Sequence, residues 1–149
     1  MTEELVTLET AKMLKEKGFD ERTLYAYRNN GMLYNDGNRI MTSYNSLPVP
    51  ELCEEYYGCD ASKTCLICKL AVYLIAAPTQ SFAQKWLRET KNIHICVYNC
   101  ACGYGYEISK ADNGTHIASS TYKGTNDGGG WDTYEEALEA GLQEALKLI

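Results

Sequence analysis

The sequence predicts an α+β fold: an N-terminal helix and β-hairpin, then an α-β-β-β-α unit whose antiparallel sheet has helices packed on one face. Three observations carry this expectation. Apolar residues recur at helical spacing around 7–17, around 78–91 and again after Thr133. Between the last two of these, short runs rich in Ile, Val and Tyr alternate with period two. Asn-Gly pairs at Asn30-Gly31 and Asn113-Gly114 punctuate the runs where chain reversals are needed.

The first helix is expected at about 7–17. Thr7 can cap it, and Leu8, Ala11 and Leu14 share a face. Lys12, Lys15 and Lys17 complement the negative end of the helix dipole. Gly18 suits the left-handed residue past the helix end, and Phe19 can fold back toward Leu14. Next, Asn30-Gly31 reads as a two-residue hairpin turn between short strands, with Tyr25 and Tyr27 on one face. Residues 35–63 are irregular, with Pro48 and Pro50 and a short helical turn expected around 50–57. The stretch from Leu70 to Ile75 reads as a buried strand ending at Pro78, with a helix as the alternative.

The second helix is expected at about 78–91, with Thr79 as cap, Asn92 past its end, and Phe82, Ala83, Trp86 and Leu87 on its apolar face. Strands are expected at 93–100, 104–109 and 115–122, with a turn over 111–114. A glycine-rich loop, 124–130, reads as an exposed linker. In the last helix Thr133 and Glu136 form a capping box. Tyr134, Leu138, Leu142 and Leu146 form a large apolar stripe beside the small residues Ala137, Gly141 and Ala145, which lets the helix approach a sheet closely. Glu135, Glu136, Glu139, Gln143 and Glu144 are expected on the outer face. The chain is read as a single domain, 1–149: a helix-hairpin at 1–34, an irregular cysteine-containing segment at 35–69 and the core unit at 70–149.

Composition bounds the function. The 149 residues carry a net charge of −6, with 45% hydrophobic and 23% charged residues. That balance suits a globular domain and opposes a disordered chain. No 20-residue apolar span and no basic, apolar leader is visible, so a cytoplasmic protein without a membrane segment is expected. Net acidity disfavours a phosphate-binding surface, which needs Lys and Arg. Seven cysteines, an odd number, suit free thiols in a reducing compartment.

Three blocks carry a family resemblance. They are Leu5-Val6-Thr7-Leu8-Glu9-Thr10-Ala11-Lys12-Met13-Leu14-Lys15-Glu16-Lys17-Gly18-Phe19-Asp20, then Ala77–Glu89 with Ile93-His94-Ile95, and Thr133–Ile149. Together they resemble a family of small uncharacterised proteins common in Bacteroidales genomes, phages and prophages. The resemblance implies a mobile-element context. It carries over no activity and no site residue.

Several constellations suggest chemistry. Cys65 and Cys68 form a CxxC knuckle that can place two thiolates on Zn²⁺, and Cys53 and Cys59 precede it. These four are the candidate metal ligands, and structural zinc is the one cofactor considered. The spacing fits no zinc ribbon, and free thiols are the plainer reading. His94 and Cys96 share a strand face, with His116 further on, but nucleophilic catalysis also needs a base in reach and a third, orienting group. Gly18–Leu33 loosely resembles the recognition-helix region of MerR-type regulators, although Asn30-Gly31 suits a turn better than a helix interior. The order of elements over 78–149 is similar to the double-stranded-RNA-binding domain. Where that domain has lysines, this chain has Glu135 and Glu136, which repel phosphate. Asp127-Gly128-Gly129-Gly130-Trp131 lacks the Lys-Ser/Thr of a phosphate loop. Tyr25 and Tyr27, and Lys85 and Arg88, are candidate partner contacts, through tyrosine on a sheet face and a basic helix face. These readings combine into a non-enzymatic binding or accessory protein acting through protein–protein contacts. The alternative is a nucleic-acid-binding domain stabilised by zinc.

Overall fold

The computed structural model describes residues 4–28, 31–35, 41–46 and 74–149. Their elements are α1 (Leu8–Glu16), β1 (Ala26–Tyr27), β2 (Leu33–Tyr34), a 3-10 turn (Tyr44–Ser46), β3 (Ile75–Ala76), α2 (Gln80–Thr90), β4 (Ile93–Cys100), β5 (Gly103–Lys110), β6 (His116–Ser119) and α3 (Tyr134–Lys147). The fold is α+β, with helices packed on an antiparallel sheet. Among the described residues there are two three-stranded sheets, ordered β2-β1-β3 and β4-β5-β6, where the sequence suggests one. The chain divides into two compact units, Leu14–Pro78 and Met1–Met13 with Thr79–Ile149.

Helix α1 ends as its sequence predicts. Gly18 takes φ +93°. Its N–H donates to the Lys15 carbonyl at 3.2 Å, and that of Phe19 donates to Leu14 at 2.9 Å. These two bonds satisfy carbonyls that the last helical turn would otherwise leave unpaired. The Leu14–Pro78 unit buries Leu14, Phe19, Ala26, Tyr44, Leu74, Ala76 and Ala77. Asn45 ties it together, donating to the Phe19 carbonyl at 2.8 Å and accepting from the Ala76 N–H at 3.0 Å.

The hairpin is present, but its turn differs from the expectation. Tyr27 pairs with Leu33, and the Arg28 N–H donates to the Met32 carbonyl at 2.8 Å. Three residues therefore lie between Arg28 and Met32, where the sequence suggests a two-residue turn. Gly31, at φ +86°, takes the left-handed position that closes such a loop. Asn30 lies outside the described residues, as does the turn expected at 50–57. Residues 70–73 of the expected buried strand are also outside them. Its end forms β3, whose Ile75 and Ala76 pair with Tyr27 and Ala26 of the hairpin.

In the other unit, Thr79 caps α2 by accepting from the Phe82 N–H at 3.2 Å, and Asn92 follows the helix at φ +58°. Pro78 precedes the cap and so stands before the first turn, not within it. Ala83, Trp86 and Leu87 are buried, together with Gln80, while Phe82 is only half-buried. Strands β4 and β5 pair over eight residues, from Ile93↔Lys110 to Cys100↔Gly103. Strand β6 is shorter than expected. The Ser120 side chain accepts the Tyr106 N–H at 2.9 Å, while the Ser120 carbonyl accepts Lys123 N–H at 2.9 Å. This turn ends the ladder.

Thr133 caps α3 through the Glu136 N–H at 3.1 Å. Ala137, Leu138, Gly141, Leu142, Ala145 and Leu146 are buried, whereas Tyr134 at the head of the stripe is exposed. A Cβ on Gly141 would lie 3.0 Å from Ile95 Cγ2 and 3.1 Å from Tyr106 Cγ, so the small stripe does set how closely α3 sits on the sheet.

Glu139 and Gln143 depart from the expected solvent-facing role. Glu139 Oε1 accepts the Thr7 N–H at 2.8 Å, the Thr7 hydroxyl at 2.7 Å and the Thr10 hydroxyl at 2.5 Å. Its Oε2 accepts Gln80 Nε2 at 2.9 Å, and Gln143 donates to Thr10 at 3.1 Å. A carboxylate at the start of α1 satisfies free N-terminal donors and favours the positive end of the helix dipole.

Candidate functional site

Alternation along β4 and β5 sorts the sheet into two faces. Ile93, Ile95, Tyr106 and Ile108 are buried on the side of the helices. The other side presents His94, Cys96, Tyr98 and Cys100 from β4 and Glu107 and Ser109 from β5. Cys96, Tyr98, Cys100 and Glu107 are exposed there. Directly across the strands, Cys96 stands opposite Glu107, and Glu107 opposite Ser119. The register shift at Ile108/Ser109 places His116 beside Ser109, where its Nδ1 lies 3.1 Å from Glu107 Oε1. Tyr98 lies across Gly105, whose missing side chain leaves the room: a Cβ there would come within 2.9 Å of the phenol ring.

At the tip of the β4–β5 hairpin, Cys100 and Cys102 flank Ala101. Their sulfurs are 3.0 Å apart. Cys100 is exposed and Cys102 half-buried. The contact between the two sulfurs holds Cys100 below the usual thiol range; the same contact, together with burial, pushes Cys102 up. Beside them opens a pocket of about 190 Å³, rimmed by Tyr98, Tyr104, Tyr122 and the Gly128–Gly130 segment.

The glycine loop is a wall of this pocket, not a linker. Gly124 donates to Gly129 at 2.7 Å, Asn126 to Gly130 at 2.9 Å, and Trp131 pairs with Tyr104 at 2.8 and 2.9 Å. The approach requires glycine: a Cβ on Gly129, at φ +85°, would fall 2.2 Å from Tyr122 Cα, and one on Gly130 would fall 2.3 Å from the Cys102 carbonyl oxygen.

A second cleft, about 390 Å³, lies between Tyr106, Trp131, Lys123, Gln143, Glu144 and Lys147. Glu144 accepts the Tyr106 hydroxyl and, at 2.7 Å, Lys123 Nζ. Burial pushes the Glu144 carboxyl upward, and the Lys147 charge opposes this. Glu144 is thus the hydrogen-bonding centre of the cleft wall.

Cys53, Cys59, Cys65 and Cys68 lie outside the described residues. Among the described residues no group of three metal-ligating side chains converges. Tyr25 is exposed and Tyr27, in β1, half-buried, both within the Leu14–Pro78 unit. Lys85 is exposed and meets Glu89 at 3.9 Å, with Arg88 half-buried on the same helix. His94, Cys96 and His116 share the open face. His94 Nδ1 is buried without a hydrogen-bond partner among the described residues. Sequence reasoning missed the Cys100–Cys102 pair. Its signal was a Cys-x-Cys straddling the turn expected between 93–100 and 104–109.

No protein-family model, curated protein or solved structure matches this chain.

Proposed function

We propose that this protein is a non-enzymatic binding protein that takes a protein partner on the open face of the β4–β5–β6 sheet. The observation that carries the reading is the one-sidedness of that sheet. Two helices cover its apolar face, and the opposite face presents Tyr98, Cys96, Glu107 and His116, with Ile117 of β6 38% exposed. Tyrosine beside a few polar groups suits protein recognition. The outer edges of β4 and β6 carry no further strand among the described residues, and such edges can take an extended segment. The cytoplasmic, mobile-element setting is part of the proposal and rests on sequence composition and block resemblance. Among the described residues no helix is long and apolar enough to cross a membrane.

The element order α2-β4-β5-β6-α3 supports the second reading, nucleic-acid binding. The acidic first turn of α3, with Glu135 and Glu136, weighs against it.

Capture from a host lysate with mass spectrometry tests the main reading. A partner held by the native protein and by a Lys85→Glu/Arg88→Glu variant should be lost from Tyr98→Ala/Glu107→Lys. Retention by the open-face variant overturns the assignment of that face. Salt-sensitive heparin retention would favour the nucleic-acid reading instead. Zinc below about 0.2 per chain removes its metal-stabilised form.

A further inference from the structure

We propose that Cys100 and Cys102 form a thiol–disulfide exchange site, with Cys100 as the attacking thiol and Cys102 as the resolving one. This does not rest on the partner-binding reading. Three observations carry it.

The first is proximity. The two sulfurs sit 3.0 Å apart, whereas a disulfide needs about 2.05 Å, so closure requires a movement of about 1 Å. The second is placement. Cys100 ends an eight-residue strand paired rung by rung to β5, and the turn after it is clamped by the glycine loop. Asn126 Nδ2 donates to the Cys102 carbonyl at 3.2 Å, and the Cys102 thiol approaches the Gly128 carbonyl at 3.7 Å. The backbone therefore holds the thiols side by side. The third is asymmetry. Cys100 faces solvent, whereas Cys102 sits half-buried beside the glycine wall. The lowered pKa of Cys100 and the raised pKa of Cys102 run in the same sense.

The co-reactant is an accessible disulfide, R–S–S–R′. The Cys100 thiolate attacks one sulfur, the Cys100–S–R bond forms, and R′–S⁻ leaves and takes a proton. The Cys102 thiol then loses its proton and attacks Cys100 Sγ, expelling R–S⁻. The dithiol is oxidised to an intramolecular disulfide, and the co-reactant is reduced to two thiols. The pocket beside Cys100 supplies a floor of backbone and tyrosine against which the disulfide's flanking atoms can rest.

The test uses the full chain carrying Cys96→Ser, because Cys96 would otherwise compete. After reduction it is exposed to glutathione disulfide, quenched in acid and mapped by mass spectrometry. A Cys100–Cys102 disulfide should form, with little glutathione retained. Adding Cys102→Ser should trap a mixed disulfide at Cys100 in nearly every chain. Adding Cys100→Ser should slow mixed-disulfide formation at the half-buried Cys102, and with both thiols present initial alkylation at neutral pH should be about tenfold slower at Cys102 than at Cys100. Stable mixed disulfides on both thiols without ring closure, or equal reactivity of the two, would overturn the proposal. So would oxidation that pairs Cys100 with Cys53, Cys59, Cys65 or Cys68 instead. Running a disulfide-linked peptide beside glutathione disulfide separates the sources. Faster exchange with the peptide identifies a protein disulfide, equal rates identify a small one, and both outcomes support the site.

Discussion

The two faces of the β4–β5–β6 sheet are made by alternate residues of the same strands, yet they differ in burial and in the side chains they carry. One side buries Ile95, Tyr106 and Ile108 completely or nearly so against α3, where Gly141 lets the helix approach. The other side carries two imidazoles, two thiols, a phenol and a carboxylate, most of them accessible. Packing tolerates little change, because a filled interior has no spare volume. An accessible polar face tolerates much, because water replaces lost contacts. Period-two alternation along β4 and β5 puts apolar side chains on one side of this thin layer and thiol, imidazole and carboxylate groups on the other.

The covered side should break first and hardest. Leu142 is fully buried on α3. A Leu142→Asp substitution removes its packing and places a carboxylate without a partner there, costing more than roughly 4 kcal/mol. Since domains of this size hold about 5–15 kcal/mol, the cooperative thermal transition should vanish or fall steeply. An unchanged melting curve would show that α3 is not part of the core. Next in size is Glu139→Ala, which attacks the covered side through its polar contacts. It strips the acceptor from the Thr7 N–H and the buried Thr10 hydroxyl, and one of two acceptors from the buried Gln80 amide, which keeps the Glu135 carbonyl at 3.0 Å. A loss of about 2–3 kcal/mol in denaturant unfolding is expected, because buried donors without acceptors keep their desolvation cost. Glu139→Gln, which keeps one acceptor oxygen, should lose about half as much.

Elements whose signals are local were legible in the sequence. Capping at Thr79 and Thr133 and the Gly18 ending of α1 need only a few neighbouring residues, and the boundaries of β4 follow from its alternation. What depends on distant partners was not legible. Glu139 looks solvated on a helical wheel because its donors, Thr7 and Thr10, lie more than a hundred positions away in sequence. The division into two sheets has the same cause, since only the pairing of Ile75 and Ala76 with β1 assigns that strand to the hairpin. The glycine loop reads as a linker until its carbonyls are seen bonded to its own amides and to Tyr104. Within the candidate site, His94, Cys96 and His116 were each visible, but the shared face depends on the register shift at Ser109.

The smallest expected effect falls on the Glu107–His116 pair. On the open face Glu107 meets His116 at 3.1 Å, with the two side chains 52% and 57% exposed. Pairs so exposed are worth about 0.2–1 kcal/mol, since water screens the attraction and two mobile side chains lose freedom. Glu107→Gln keeps an acceptor oxygen for the imidazole and removes only the charge. Its melting temperature should therefore shift by less than about 3 °C, with the same denaturant slope as the native protein. If a partner sits on this face, the same substitution should weaken its capture while the fold is untouched, a separation that no change at Leu142 can produce. A stability loss approaching that of Glu139→Ala would mean that the open face carries part of the fold, and the division between the two sides would fail.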